Sequence, residues 1–160
     1  HSCRLGHSTL TAACRLDIMG LAGGKCPGFA GATKRRAALK FFIVDDDDDM
    51  IQLMQVLIEA SGHEVSAALA GHQAISSITA MKPDCIITDL MMATMDGLEL
   101  CDEIRANKSL GDTTIVMVSA RDAEHWKVQA AERGANGYIT KPIDPETFVG
   151  DLLAIMEKSD

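Results

Sequence analysis

Five short apolar runs, each followed by a segment whose apolar residues recur at helical spacing, govern what this 160-residue chain can fold into. The first run is Lys40 to Val44. Met50, Leu53, Met54, Leu57 and Ile58 then recur at i, i+3, i+4, i+7 and i+8, one face of a helix that Gly62 stops. Val65 to Leu69 suits a second strand, and Ala74, Ile75, Ile78 and Met81 mark a second helix ended by Pro83. Cys85 to Thr88 is a third strand, closed by Asp89. Leu98, Cys101, Ile104 and Arg105 give a third helix after Gly97. Ile115 to Val118 is a fourth strand, and Trp126 and Ala130 sit on a fourth helix ended by Gly134. Tyr138 to Thr140 is a short fifth strand. Phe148, Leu152, Leu153, Ile155 and Met156 lie on a last helix entered through Pro145. Strand–helix alternation of this kind demands a parallel sheet with helices on both faces. The near-continuous apolar strands agree, because both faces of a parallel sheet are buried. Right-handed crossovers leave few topologies.

Composition narrows the classes further. Hydrophobic residues make up 47% and charged residues 24%, the balance of a globular chain. No run of about 18 apolar residues occurs, so no spanning helix is expected. Six aromatic residues make the expected core mostly aliphatic. The net charge of −8 argues against direct nucleic-acid binding. That charge is uneven, +6 over residues 1–40 and −14 over residues 41–160. The five cysteines are an odd count without any C-x-x-C pair, which speaks against a disulfide framework and against structural zinc. Cys85 and Cys101 read as small buried hydrophobes.

Residues 1–38 are rich in Gly, Ala, Ser and Thr, basic, and without helical or strand period. They start on His1 rather than Met. The expectation is a low-order leader, vector-derived or otherwise non-native, ahead of one domain over residues 39–160.

Ligands of an open α/β sheet bind outside the carboxyl ends of its strands. Asp45 and Asp46 follow the first strand, Asp89 the third, Ser119 the fourth and Lys141 the fifth. Three carboxylates, a hydroxyl and an amine therefore converge on one edge. Carboxylates brought together raise one another's pKa unless a cation neutralises them. Hard oxygen ligands in this number suit Mg²⁺. A metal with a nearby lysine is built to hold a phosphoryl group, and a carboxylate can accept that group as an acyl phosphate. Asp47, Asp48 and Asp49 fit the start of the first helix as cap and dipole partners. A calcium loop from Asp45 would need Gly and Glu where Met50 and Val56 stand. A haloacid-dehalogenase-type phosphatase would want Thr or Val where Asp49 stands. Met50, Met54 and Met81 read as core, and His63, His72 and His125 as surface residues.

Phe41 to Met50, the stretch Ile86 to Met92 with Met95-Asp96-Gly97, Val118-Ser119-Ala120, and Gly134 to Tyr138 with Lys141-Pro142 together resemble the receiver domain of two-component response regulators, chemotaxis-regulator-like. The resemblance covers residues 39–158. It implies a flavodoxin-like, doubly wound (βα)5 three-layer sandwich with sheet order 2-1-3-4-5. It also implies Asp89 as phosphoacceptor, with Asp45, Asp46, Asp89 and the Met91 backbone carbonyl around Mg²⁺, for which Mn²⁺ substitutes. Lys141 would pair with a phosphoryl oxygen, and with Asp89 before phosphorylation. Ser119 would move toward the phosphoryl group and Tyr138 would follow as the aromatic switch. The face of the fourth helix, fifth strand and fifth helix would then change for a downstream protein target or output domain, and could also make a weak dimer. The implied donor is a histidine kinase or phosphotransfer protein, the implied location cytoplasmic, and the implied role regulatory rather than enzymatic. Ala93 stands where this family usually has Pro, and Met91 and Arg121 hold its variable flanking positions. A module of the same fold that works without phosphorylation is the alternative. No output domain is visible in the sequence.

Overall fold

A computed structural model describes residues 37–160. The expected leader, residues 1–38, lies outside the described residues except for its last two. Among the described residues, strands and helices alternate as β1 (Lys40–Val44), α1 (Asp48–Ala60), β2 (Glu64–Ala68), α2 (Gly71–Met81), β3 (Cys85–Thr88), α3 (Gly97–Ala106), β4 (Thr114–Ser119), α4 (Glu124–Glu132), β5 (Gly137–Thr140) and α5 (Phe148–Ser159), with a 3-10 turn at Lys108–Leu110. The sheet order is β2-β1-β3-β4-β5, every neighbouring pair parallel. This is the expected doubly wound order.

Alternation of side chains along each strand divides the core in two. Phe41, Ile43, Cys85, Ile87, Val116 and Val118 pack with Ile51, Met54 and Ile58 of α1 and Phe148 and Leu152 of α5. Phe42, Val44, Ile86, Ile115 and Met117 face the other way, against Ala74 and Ile78 of α2, Leu100, Cys101 and Ile104 of α3, and Ala130 of α4. The result is a helix–sheet–helix sandwich. Residues such as Ile43, Ile86 and Ile104 are fully out of solvent, and burying a side chain of that size is worth about 1.5–3 kcal/mol.

Local chemistry fixes the helix starts. Asp47 caps α1, its side chain accepting from the N–H groups of Asp49 and Met50. Asp96 and Glu99 form a capping box on α3. The buried stripe of α1 differs from the expected one. Ile51, Met54 and Ile58 are buried, Met50 and Leu57 are half-buried, and Leu53 is 39% exposed. This helix carries apolar residues around more than half its girth, so periodicity alone places the stripe one position off. Met54 is buried and Met50 and Met81 are packed against the core. His72 and His125 are exposed, while His63 is half-buried, its ring 5.5 Å from Phe41 and its Nδ1 accepting from the Leu39 N–H. No helix among the described residues is long and apolar enough to cross a membrane.

Candidate functional site

The carboxyl ends of β1, β3, β4 and β5 bring the predicted polar residues to one edge. Asp45 follows β1 directly and is fully buried. One of its oxygens, Oδ1, accepts from the N–H of Asp47 at 2.9 Å, which ties the carboxylate to the turn that opens α1. Asp89 follows β3, and its N–H donates to the carbonyl of Val44 at 3.0 Å, so the two acidic loops are stitched side by side. Carboxylate oxygens of Asp45, Asp46 and Asp89 all lie within 4.8 Å of one another. Asp46 is exposed and Asp89 intermediate, so the cluster opens to solvent on one side.

Gly97 sets the back wall. Its N–H donates to the Leu90 carbonyl at 2.9 Å, and a Cβ there would run into the Asp89 carbonyl oxygen. Only glycine lets α3 start this close to the loop that carries Asp89.

Lys141 arrives from the end of β5, where its N–H donates to the Ser119 carbonyl at 2.8 Å. The peptide to Pro142 is cis. Its ammonium donates to Asp45 Oδ2 at 3.1 Å and stands 3.8 Å from Asp89 Oδ2. The pairing with Asp89 is thus present, but the shorter contact is with Asp45. Burial pushes the Asp89 carboxyl above the ordinary aspartate range. Lys141 pulls it down, Asp45 pushes it up, and N–H donation from Met91 and Leu90 lowers it, with burial winning.

Ser119 is the last residue of β4 rather than the residue after it, and is 1% exposed. Its hydroxyl accepts from the N–H of Arg121 at 3.2 Å. The phenol of half-buried Tyr138 donates to the carbonyl of the same Arg121 at 2.5 Å. Met91 is 48% exposed, and its N–H is a partner of Asp89. Two sets of contacts were not legible in the sequence: the backbone donors on Asp89 and the role of Arg121 as common partner of Ser119 and Tyr138. Both run through main-chain atoms, which carry no residue-type signature.

The three clustered side chains offer carboxylate oxygens, three formal negative charges against the one Lys141 ammonium beside them. That donor set fits a hard divalent cation such as Mg²⁺.

Residues 41–152 match the response regulator receiver domain family. The chain belongs to that family. Alkaline phosphatase synthesis transcriptional regulatory protein PhoP of Bacillus subtilis (strain 168) is 36% identical over 111 residues, 69% of this chain and 45% of that protein. Phosphate regulon transcriptional regulatory protein PhoB of Pseudomonas aeruginosa is 34% identical over 108 residues, 68% of this chain and 47% of that protein. The chain therefore spans less than half the length of these relatives. Among solved structures, the chemotaxis response regulator CheY4 of Vibrio cholerae superposes with a TM-score of 0.71 at 28% identity, over 74% of this chain and 99% of that one. This receiver domain is accordingly a regulatory signalling domain of two-component systems.

Proposed function

We propose that this receiver domain is a phosphorylation switch whose acceptor is Asp89. The observation that carries the reading is the cluster itself: the Asp45, Asp46 and Asp89 carboxylates within 4.8 Å of one another, with the Lys141 ammonium 3.8 Å from Asp89. Asp45, Asp46, Asp89 and the Met91 backbone carbonyl would hold Mg²⁺, or Mn²⁺ in its place. When bound, the cation supplies charge neutralisation for phosphoryl oxygens.

The donor is a histidine kinase or a phosphotransfer protein carrying a phosphohistidine. A carboxylate oxygen of Asp89 attacks phosphorus, the P–O bond forms as the P–N bond breaks, and the histidine leaves as neutral imidazole once its second nitrogen holds a proton. Lys141 holds a phosphoryl oxygen through its ammonium. Asp45 fixes Lys141 beforehand and keeps it aimed at the site. Attack of water on phosphorus returns the carboxylate and releases inorganic phosphate. The domain acts on itself alone and turns over no other substrate.

The phosphoryl group adds a charge of about −1.5 to −2 and three strong acceptors. Ser119 is drawn to one of these oxygens, Tyr138 responds, and a pre-existing equilibrium shifts. The face formed by α4, β5 and α5 is then read by a downstream protein or output domain, or by a second copy in a weak dimer. A cytoplasmic location belongs to the same proposal.

The test is intact mass after incubation with a small acyl phosphate. A gain of one phosphoryl group that needs both Mg²⁺ and Asp89, absent in Asp89→Asn, is the expected result. No gain in a folded sample that binds Mg²⁺ would favour the phosphorylation-independent module.

A further inference from the structure

Asn136 and Gly137 stand side by side where the α4–β5 turn enters β5. The Asn136 N–H donates to the Ile115 carbonyl at 2.7 Å, and its side-chain Oδ1 accepts from the Ile115 N–H at 2.8 Å. One residue thus starts the pairing of β5 with β4 through both its main chain and its side chain. Gly137 is the first residue of β5, and a Cβ there would run into the Ile155 side chain of α5. Glycine lets α5 lie this close to the strand. The pair carries a chemical liability. An asparagine amide cyclises most readily when glycine follows it, because no Cβ shields the next main-chain nitrogen. Asn136 is exposed, so water and hydroxide reach it. Arg105 of α3 bears on the same turn through its whole guanidinium. Nε donates to the Gly134 carbonyl at 2.9 Å, and Nη1 to the Gly111 and Thr113 carbonyls at 3.2 and 2.9 Å. Nη2 donates to Asn136 Oδ1 at 2.8 Å.

We propose that Asn136–Gly137 is a site of self-modification by deamidation, and that the Arg105 guanidinium holds it shut in the folded domain. In the reaction the Gly137 nitrogen gives up its proton to hydroxide and attacks Cγ of Asn136. The N–Cγ bond forms, the Cγ–Nδ2 bond breaks, and Nδ2 takes up a proton and leaves as ammonia. Water then opens the cyclic imide to aspartate or to isoaspartate. Closure requires Cγ to swing onto the following nitrogen. Oδ1 is held by two N–H donors, one of them charged, and the swing must give up both. The charged donor alone slows the reaction by about ten- to a hundredfold, the worth of a hydrogen bond to an ionised group. The two products differ in their fit. Aspartate offers a carboxylate oxygen to the same donors and meets Arg105 as a charge-assisted partner. Isoaspartate adds one carbon to the main chain, which displaces Gly137 from Val116 across the ladder and from Ile155 beneath it. Arg105 therefore guards the register of β5.

The experiment incubates the full chain in mildly alkaline buffer and follows residue 136 by peptide mapping, which separates asparagine, aspartate and isoaspartate. Wild type unfolded in guanidinium chloride supplies the unguarded rate. Folded wild type should deamidate at Asn136 at least about tenfold more slowly. Arg105→Ala should raise the folded rate by about ten- to a hundredfold. Arg105→Lys, which keeps the charge without the planar fork, should fall between the two. Ile87→Ala weakens the sheet away from the clasp and should stay near the folded wild-type rate, urea melts of each variant confirming that it is folded. Should Arg105→Ala fail to fold, Arg105→Lys carries the test. Folded wild type reacting at the unfolded rate, or a folded Arg105 variant no faster than wild type, would overturn the proposal. Equal acceleration in the Arg105 variant and in Ile87→Ala would overturn it too, because the protection would then come from the fold as a whole.

Discussion

β3 and β5 deliver the two partners of one ion pair, Asp89 and Lys141, yet all four residues of β3 are buried and all four of β5 are only half-buried. The helices follow the same division. α1 and α3 start on capped Asp side chains and bury three and five residues respectively. α4 starts uncapped and buries Ala130 alone. The difference teaches where each job belongs. Charges must be held still on the β1–β3 side, because displacement by an ångström spoils a carboxylate cluster. In the proposed switch, the surface that changes would sit where few contacts oppose movement, as at α4 and β5.

The contrast can be broken by substitution. Ile87→Ala, at the middle of β3 and fully buried, should cost about 2–5 kcal/mol in a urea melt. Val128→Ala on α4, 47% exposed, should change stability by less than about 0.5 kcal/mol. Equal losses would erase the distinction between the two sides.

The caps sharpen it. Asp47→Ala removes an acceptor used by two N–H groups and should cost about 1 kcal/mol. Ala123→Ser installs a hydroxyl where α4 has no side-chain cap, in an extended conformation suited to it, and should raise stability by several tenths of a kcal/mol. Opposite signs in the two melts are the expected outcome.

The smallest effect is electrostatic. The carboxyl of Asp89 has its pKa raised in the folded state, chiefly by burial. Its stabilising share is therefore fully present below the ordinary aspartate range and is lost as pH rises through the raised value. With divalent cations chelated, Asp89→Asn should melt slightly higher than wild type at neutral pH. The gain should vanish at a pH below the ordinary aspartate range, as thermal melts across pH would show. Adding Mg²⁺ should narrow the neutral-pH gap by stabilising the wild type more.

The sheet was legible because its strands are continuous apolar runs and punctuation is sharp. Pro83 and Gly134 bound their helices as expected, Lys82 and Gly134 both taking the left-handed conformation. The burial of α1 was less legible, since Leu53 and Val56 are apolar and yet exposed. The side chains of the candidate site were legible from one rule, that function collects where strands end. Asp45, Asp46, Asp89, Ser119 and Lys141 all lie there. The shorter contact of Lys141 with Asp45, the N–H groups on Asp89, and the Arg121 junction depend on main-chain geometry or on differences in distance of less than an ångström. No residue pattern encodes those.

Residue-resolved amide spectra of the ¹⁵N-labelled chain, with Mg²⁺ before and after an acyl phosphate, test the central claim most directly. The account predicts that, beyond the loops carrying Asp45, Asp46 and Asp89, the large shifts fall in residues 119–140, with β2 and the last turn of α1 unmoved. Shifts confined to the acidic loops, or spread evenly over both sides of the sheet, would contradict it.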